Sequence, residues 1–329
     1  MELIINVVLL SMLIVVACFI ARSKDLMVTV ILFSIYGLLC ASFFMLMDAV
    51  DVAFTEAAVG AGISPLLMLI TLASVGRFQQ AGRYPVVLIG FIGAVLGGLL
   101  VWATLGMPMF GDALAPVHQH VAPRYIEESG VEVGVPNIVT SVLASYRAFD
   151  TLGEVVVIFT AGVGVLSLLG GGSYQKRFLI DRIIDREEHK ILRVVSKILI
   201  PPILLFALYV QFHGDYGPGG GFQAGVIFAA GVVLYTLFFG LKVVQQVISE
   251  MSVRVLAALG VLLYGCVGLV SLLKGHNYLD YYALAANPKT GQHLGILVIE
   301  LGVGITVASV MILFFYTFAR NFGGRGAVS

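Results

Sequence analysis

The chain has 329 residues, of which 59% are hydrophobic and only 12% are charged, and its mean hydropathy is +1.01. A water-soluble globular protein has about twice that charged fraction, so the composition excludes one and predicts a protein embedded in a lipid bilayer. The 19 Lys and Arg residues balance the 19 Asp and Glu residues, so the net charge gives no indication of a nucleic-acid partner.

Nine apolar runs follow one another along the chain, and each is predicted to cross the bilayer because about 20 helical residues span a hydrocarbon core of about 30 Å. They cover residues 3–21, 26–47, 52–76, 85–105, 150–172, 198–212, 219–240, 255–273 and 294–319. The runs are apolar on all sides rather than at alternate residues, which excludes a membrane β-barrel. We therefore predict an all-α fold, a polytopic membrane helical bundle of about nine transmembrane helices. The sixth run is the weakest, because it is short and contains Pro201 and Pro202.

The basic residues predict the orientation of this bundle. If alternate loops lie on one face, that face collects 15 of the 19 Lys and Arg residues. Because cytoplasmic loops carry the excess of basic residues, the N-terminus is predicted outside and the C-terminus in the cytoplasm. The first segment has neither a basic leader nor a small-residue cleavage site, so it is expected to remain as a membrane span.

Two longer connections divide the chain into predicted parts. The loop at 106–136 contains four prolines, which argue against regular structure there. The charged segment 174–197 has apolar residues at helical spacing, and is predicted as an amphipathic helix on the cytoplasmic surface or as a solvated linker. The predicted parts are 1–110, 111–173, 174–197 and a four-helix domain at 198–329.

Ionisable side chains inside the spans are the first functional candidates, because each costs at least about 2.5 to 3.5 kcal/mol to insert. Glu56 lies roughly 6 to 9 Å into the third span at 1.5 Å per residue. Gly60 follows one turn later on the same face, and Gly62 and Pro65 come next. These residues predict close helix approach and a local opening of the hydrogen-bond ladder. The alternative is a tightly packed helix with one hydrogen-bonded glutamate.

A second cluster stands at the entry to the fifth span. Arg147, Asp150 and Glu154 have helical spacing, which predicts that they share one face. A basic residue beside two acids can keep both carboxylates ionised, or such a group can release a proton when a cation arrives nearby. An ion pair that caps the start of the helix would explain the pattern nearly as well. Glu300 is the one charge in the ninth run and faces its small residues. Our hypothesis is that Glu56, Glu154 and Glu300 line a hydrated route open to the outer face.

The remaining motifs carry little chemistry. The turn GPGGGF at 217–222 lacks the Lys and Ser or Thr of a phosphate-binding loop. His118 and His120 have no third ligand at a suitable spacing, so no metal ion and no cofactor are expected. Four ionisable residues of the outer loops are interpreted as solvated: His213, Asp215, His276 and Asp280.

Three consecutive stretches resemble known membrane proteins. Residues 51–62, DVAFTEAAVGAG, resemble the signature of small membrane subunits of Mrp-type antiporters and membrane-bound hydrogenases. Residues 135–139 (VPNIV) and 149–154 (FDTLGE) resemble the block that follows it, and both blocks are usually joined at the C-terminal end of the MrpA protein of such antiporters. The four-helix remainder is similar to the MrpB protein, including a structural turn with Pro218, Gly219, Gly220 and Gly221.

This resemblance implies a subunit of a multisubunit Na⁺/H⁺ antiporter in the cell membrane of a prokaryote, with Na⁺ and H⁺ as the transported ions. It implies a transport component rather than an enzyme. The implied partners are the other subunits of such a complex, including large pump-like subunits and small membrane subunits, together with the lipid bilayer and with no nucleic acid.

The resemblance also implies roles for individual residues, because Glu56, Asp150 and Glu154 match acidic positions of the family. Together with the residues selected by position, the candidate ion pathway comprises Glu56, Glu154, Asp150, Arg147, Asp51 and Glu300. Two alternatives stay open. The chain is either a membrane-arm subunit of a sodium-translocating, hydrogenase-like oxidoreductase, whose redox chemistry lies in another subunit, or a structural scaffold that conducts nothing.

Overall fold

The computed structural model describes residues 2–80, 85–109, 111–169 and 190–321. In these parts of the chain the regular structure is helical, apart from one isolated β-bridge between Asp25 and Phe78. Nine of the described helices are long and apolar enough to cross a membrane. The predicted all-α polytopic fold is thereby confirmed.

The spans are built from long helices, and short helices connect some of them. The first two spans are α1 (Glu2–Arg22) and α2 (Leu26–Leu46). The third combines α3 (Val50–Glu56), a π-helix (Ala57–Ile63) and α4 (Ser64–Val75), and the fourth is α5 (Val86–Thr104). Three short helices follow: α6 (Pro116–Gln119), α7 (Ala122–Glu132) and α8 (Ile138–Thr140). A second π-helix (Ser141–Tyr146) then leads into α9 (Ala148–Leu169), the fifth span.

The last four spans belong to the second half of the chain. They are α10 (Lys190–His213), α11 (Gly221–Phe239), α13 (Glu250–Leu273) and α14 (Pro288–Asn321). The short α12 (Leu241–Val247) follows α11, and a 3₁₀ helix (Tyr281–Leu284) precedes α14.

The sixth span is longer than its apolar run predicts. Helix α10 begins at Lys190 and continues through Pro201 and Pro202, so residues 190–197 of the predicted linker belong to a membrane helix. Within this extension, Nε of Arg193 donates to the carbonyl of Phe238 at 3.0 Å and so ties this part of α10 to the end of α11. Residues 174–189 lie outside the described part of the chain.

Helix α14 forms the centre of the bundle. Its buried side chains include Val307 and Phe315, and α11, α13 and α9 pack around it. Glycines permit the closest crossings: a Cβ added to Gly225 would lie 2.8 Å from the carbonyl oxygen of Gly304. Such backbone approach is how helices gain packing energy in lipid, where no hydrophobic effect drives them together. At the other extreme, none of the described residues of α5 is buried.

The proline-containing loop at 106–136 is more regular than predicted. Pro116 and Pro123 lie in the first turns of α6 and α7, where a proline's missing N–H costs no intrahelical hydrogen bond. Glu132, at the end of α7, accepts hydrogen bonds from Arg124 at 2.8 Å and from the hydroxyl of Tyr146. These bonds hold the pKa of Glu132 below its usual range, while burial raises the pKa of Tyr146. Helix α7 is thus fastened to the segment that precedes α9.

Candidate functional site

A cavity of about 290 Å³ lies where the third span, the segment before α9, α9 itself, α11 and α14 come together. Three of the candidate acids line it: Asp51 from α3, Glu154 from α9 and Glu300 from α14. The other polar lining residues are Thr55, Thr140, Thr151 and Gln223. The cavity stands at the end of the bundle that the distribution of basic residues predicts to face outward.

The glycine turn between α10 and α11 forms one wall of this cavity. Gly220 has a φ of +107°, a backbone conformation open to glycine and strained for other residues. A Cβ on Gly220 would lie 3.2 Å from Oε1 of Glu300, and one on Gly214 would lie 3.1 Å from Oε2. The carboxylate of Glu300 therefore fits against bare backbone, which explains why the turn is so rich in glycine.

Asp51 holds the same turn from the other side. Its Oδ1 accepts a hydrogen bond from the N–H of Gly219 at 3.2 Å. One turn further along the third span, Thr55 accepts a hydrogen bond from Nε2 of Gln223 at 2.8 Å, which links the third span to α11. Gln223 is buried and uncharged, so an inspection of the spans for charges alone does not detect it.

Asn137 of the VPNIV block and Thr140, which follows the block directly, hold the turn in place. The side-chain amide of Asn137 donates to the carbonyl oxygens of Gly214 at 3.1 Å and Gly217 at 3.0 Å. The hydroxyl of Thr140 also donates to Gly214, at 2.6 Å. The block that the sequence marks only through a family resemblance thus has a physical task, which is to satisfy the carbonyl groups of an irregular loop inside the bundle.

The start of α11 partly offsets the cost of burying carboxylates in this cavity. Helix α11 begins at Gly221, and no side chain caps its first turn. The free N–H groups of a helix start carry partial positive charge, which stabilises nearby carboxylates such as Asp51 and Glu300. Among the described residues no group of three or more His, Cys, Asp or Glu side chains is arranged to hold a metal ion. Carboxylate and hydroxyl oxygens of this kind suit protons and hard cations.

Glu56 lies apart from this cavity. It is five residues beyond Asp51, which turns its side chain about 140° around the helix at 3.6 residues per turn. Its carboxylate lies against Gly60, and the backbone of Gly60 in turn packs against Gly37 of α2. The predicted opening of the hydrogen-bond ladder is confirmed, because a π-helix begins immediately after Glu56 and continues to Ile63.

Arg147 and Asp150 also lie outside the cavity. Arg147 is an exposed residue with a φ of −119° between the second π-helix and α9, and it pairs with the exposed Asp150 at 2.6 Å. The expected shared helical face of Arg147, Asp150 and Glu154 is therefore interrupted at Arg147. Glu154 alone of the three reaches the cavity.

The contact between Gly60 and Glu56 allows a direct test of Glu56. In Gly60→Ala the new methyl group would overlap the Glu56 carboxylate, and this flexible side chain would move at a cost of about 0.5 to 1.5 kcal/mol. We expect nearly unchanged thermal stability but a several-fold loss of the ion exchange that the sequence resemblance implies for the assembled complex. Gly62→Ala is the matched control, because its Cβ would make only an ordinary contact, 3.4 Å from the Ala57 carbonyl oxygen. Equal exchange by the two variants would show that Glu56 plays no part.

Parts of the chain match known protein families. A family model described as "Domain related to MnhB subunit of Na+/H+ antiporter" matches residues 191–313. Models for two subunits of MBH, named MbhD and MbhE, match residues 11–77 and 91–174. A Staphylococcus aureus (strain Newman) protein described as "Putative antiporter subunit mnhB2" is 31% identical over 132 residues, which are 39% of this chain and 92% of that protein.

Two solved structures are similar over large parts of the chain. A chain of the Mrp complex from Dietzia sp. DQ12-45-1b shares the fold with a TM-score of 0.72 and 24% identity, covering 98% of this chain and 35% of that one. This chain thus spans about a third of the Mrp chain that it matches. A chain of the membrane-bound sulfane sulfur reductase, an archaeal respiratory membrane complex, has a TM-score of 0.55 and 27% identity, covering 70% of this chain and 96% of that one.

The nine helices in the described part of the chain that are long and apolar enough to cross a membrane define a multi-pass membrane protein. The family follows from a relative that is 31% identical and is matched over 92% of its own length. The chain belongs to the MnhB family of Na⁺/H⁺ antiporter subunits, with its MnhB-related domain preceded by regions related to MbhD and MbhE. The resemblance deduced from the sequence motifs is confirmed.

Proposed function

We propose that this chain is a membrane subunit of a multisubunit Na⁺/H⁺ antiporter and that its cavity forms part of the route for protons or cations. Its partners would be the other subunits of that complex, large pump-like ones and small membrane ones, in the plasma membrane of a prokaryote. The chain would contribute protonatable carboxylates and would carry out no enzymatic reaction of its own.

The observation that supports this proposal is the convergence of three acids in one cavity. Asp51, Glu154 and Glu300 come from three separate spans, and all three line the same space. Acids within membrane spans are costly and are retained chiefly where they serve transport or pairing. Among the described residues no basic side chain lines this cavity, so a proton or a cation is the natural counterion of its carboxylates.

A second candidate function is favoured by the likeness to a chain of the sulfane sulfur reductase. In that case the same cavity would serve the membrane arm of a respiratory complex, and another subunit would perform the redox chemistry. The genes beside this one separate the two proposals. Large antiporter-like subunits alone support the antiporter, whereas a neighbouring iron–sulfur or nickel–iron subunit supports the respiratory complex.

The decisive experiment replaces the cavity acids one at a time by their amides. Glu154→Gln and Glu300→Gln preserve side-chain size and remove the titratable group. In the assembled complex, within everted membrane vesicles, we expect each variant to lower Na⁺-dependent proton efflux at least about tenfold, in line with the loss of an essential proton-transfer group. Native gel electrophoresis of the complex should show normal assembly.

Glu127→Gln is the matched control, because Glu127 is an exposed carboxylate of α7 away from the cavity. It should leave efflux unchanged. Normal efflux together with normal assembly in Glu154→Gln and Glu300→Gln would refute the route through this cavity and would favour a scaffold that conducts nothing.

A further inference from the structure

His293 lies in a position that the acidic residues of the spans do not predict. It is in the second turn of α14, two turns before Glu300. Its ring joins two separate loops: Nδ1 lies 3.3 Å from Oδ2 of Asp215 in the glycine turn, and Nε2 lies 3.2 Å from the carbonyl oxygen of Gly134. Both ring nitrogens therefore face oxygen atoms that can accept a hydrogen bond.

These two contacts determine where the protons are. A backbone carbonyl can only accept, so Nε2 carries a hydrogen whenever its contact with Gly134 is made. The nitrogen that can gain or lose a proton is then Nδ1, which faces the carboxylate of Asp215. Two lone pairs would face each other if neither atom carried hydrogen, so the contact requires one proton, on Nδ1 or on Oδ2. The pair therefore holds one shared proton.

The two residues of the pair differ in exposure, and the less exposed one is next to a residue that contacts Glu300. The side chain of His293 is 40% exposed, whereas that of Asp215 is 18% exposed and lies further inward. Asp215 is adjacent to Gly214, the residue against which the Glu300 carboxylate packs. Asp215 is close enough to Glu300 for an electrostatic interaction. Along α14, His293 and Glu300 are separated by about 10 Å at 1.5 Å per residue, so a proton passing between them needs Asp215 and a chain of water molecules.

We propose that His293 and Asp215 form a proton-transfer pair at the loop end of the cavity, passing protons between the adjacent aqueous phase and Glu300. This inference rests on the proposed function and adds a proton entrance to it. Asp215, which sequence reasoning interprets as a solvated loop residue, is then the inner member of the pair. His293 is the outer member.

The proton count of each step is balanced. In the loaded pair, His293 is an imidazolium and Asp215 a carboxylate. The Nδ1–H bond breaks as the Oδ2–H bond forms, which leaves a neutral imidazole and a carboxylic acid. Asp215 then releases this proton through water to the Glu300 carboxylate, and a proton from the aqueous phase binds Nδ1 and restores the imidazolium. One proton moves inward, no electrons are transferred, and the reverse order exports it.

Charged and titratable groups surround the pair on both sides. On the cavity side the nearby acids are Glu300, which interacts electrostatically with Asp215, and Asp51. On the loop side the alkyl chain of Lys289 packs near Gly134, where an added Cβ would lie 3.3 Å from its Cδ. His213, beside Gly217, and Tyr216 are the other titratable groups of the turn.

The test is His293→Gln in the assembled complex, in a membrane. The glutamine amide can still donate to the Gly134 carbonyl but cannot carry an exchangeable proton. We expect proton exchange to fall about tenfold, as for loss of a general acid–base group, and its dependence on the pH of the adjacent compartment to change. His276→Gln is the matched control, because His276 forms a similar exposed pair, 3.1 Å from Asp280 in a different loop. It should leave both the rate and the pH profile unchanged.

The outcomes separate this inference from the proposed function. If His293→Gln keeps the full rate and the wild-type pH profile while Glu300→Gln is inactive, the proton-transfer pair is refuted and the cavity route stands. If Glu154→Gln and Glu300→Gln are both fully active and assembled, the proposed route through the cavity itself fails. Should His293→Gln not assemble, Asp215→Asn and Asp215→Glu replace it. Loss of exchange in Asp215→Asn and its near-complete recovery in Asp215→Glu support the pair, and equal exchange in both variants contradicts it.

¹⁵N NMR of the histidine-labelled wild-type complex tests the pair without any substitution. The pair requires one histidine ring that is protonated at Nε2 and shares a proton at Nδ1. The absence of such a ring contradicts the pair.

Discussion

Gly221→Ala is expected to disrupt the bundle more than any other single methyl addition near the cavity. The new Cβ would overlap the backbone oxygen of Glu300 and would lie 2.9 Å from both the amide nitrogen of Gly304 and the Cβ of Val303. Backbone atoms cannot turn aside as a flexible side chain can, so α11 and α14 must separate. We expect a loss of stability near the upper end of the range for overpacking, about 3 kcal/mol, together with loss of ion exchange.

Thermal unfolding of the purified complex, followed by its tryptophan fluorescence and by native gels, measures this effect. Gly153→Ala is the matched control, since Gly153 lies in α9 beside Glu154 and an added Cβ there would meet nothing within 4 Å. Alanine is the better helix former by about 1 kcal/mol, so this control should be neutral or slightly stabilising. Equal unfolding temperatures for the two variants would contradict the close crossing of α11 and α14.

Replacing Asp51 by alanine or by asparagine is expected to separate its structural role from its charge. Asp51→Ala leaves the half-buried N–H of Gly219 without its acceptor, at a cost of about 1 kcal/mol, the lower end of the range for an unsatisfied donor. Asp51→Asn can still present an oxygen to that N–H, so its stability should stay close to that of the wild type. Because the charge is absent from both variants, ion exchange should fall strongly in both.

The measurements are the unfolding temperature and the Na⁺-dependent proton efflux of the same preparations. Full efflux in Asp51→Asn would show that Asp51 serves only to hold the glycine turn. Unchanged stability in Asp51→Ala would show that another group, or water, satisfies the N–H of Gly219.

The membrane spans could be predicted from the sequence because crossing a bilayer is a local requirement. Each span must supply about 20 apolar residues whose backbone hydrogen bonds close within the segment, and the described structure has helices at all nine predicted runs. The error at α10 has the same origin. An apolar run ends where charged residues begin, whereas a helix can continue through charged residues; in α10 one of them, Arg193, donates a hydrogen bond to a carbonyl of the neighbouring span.

The individual acids of the candidate site could also be predicted from local sequence, because a carboxylate inside an apolar run is easy to recognise. Their grouping was not predictable. Asp51 and Glu56 stand in the same motif, yet the turn of the helix directs one to the cavity and the other toward Gly60. His293 and Asp215 are ordinary polar residues near helix ends until the fold brings them to a distance of 3.3 Å.

The sequence by itself determined the class of protein, the number of its spans and the family resemblance. It also identified the carboxylates within the spans, which are functional candidates because a charge is costly to place in a membrane. Only the tertiary structure decided which of these residues share a cavity, and that Asn137, Thr140 and Gln223 hold the cavity wall in place. The physical reason is that helix formation in a bilayer depends on neighbours a few residues apart. A site built from residues 51, 154, 215, 293 and 300, in contrast, exists only once glycines allow distant helices to approach within backbone contact.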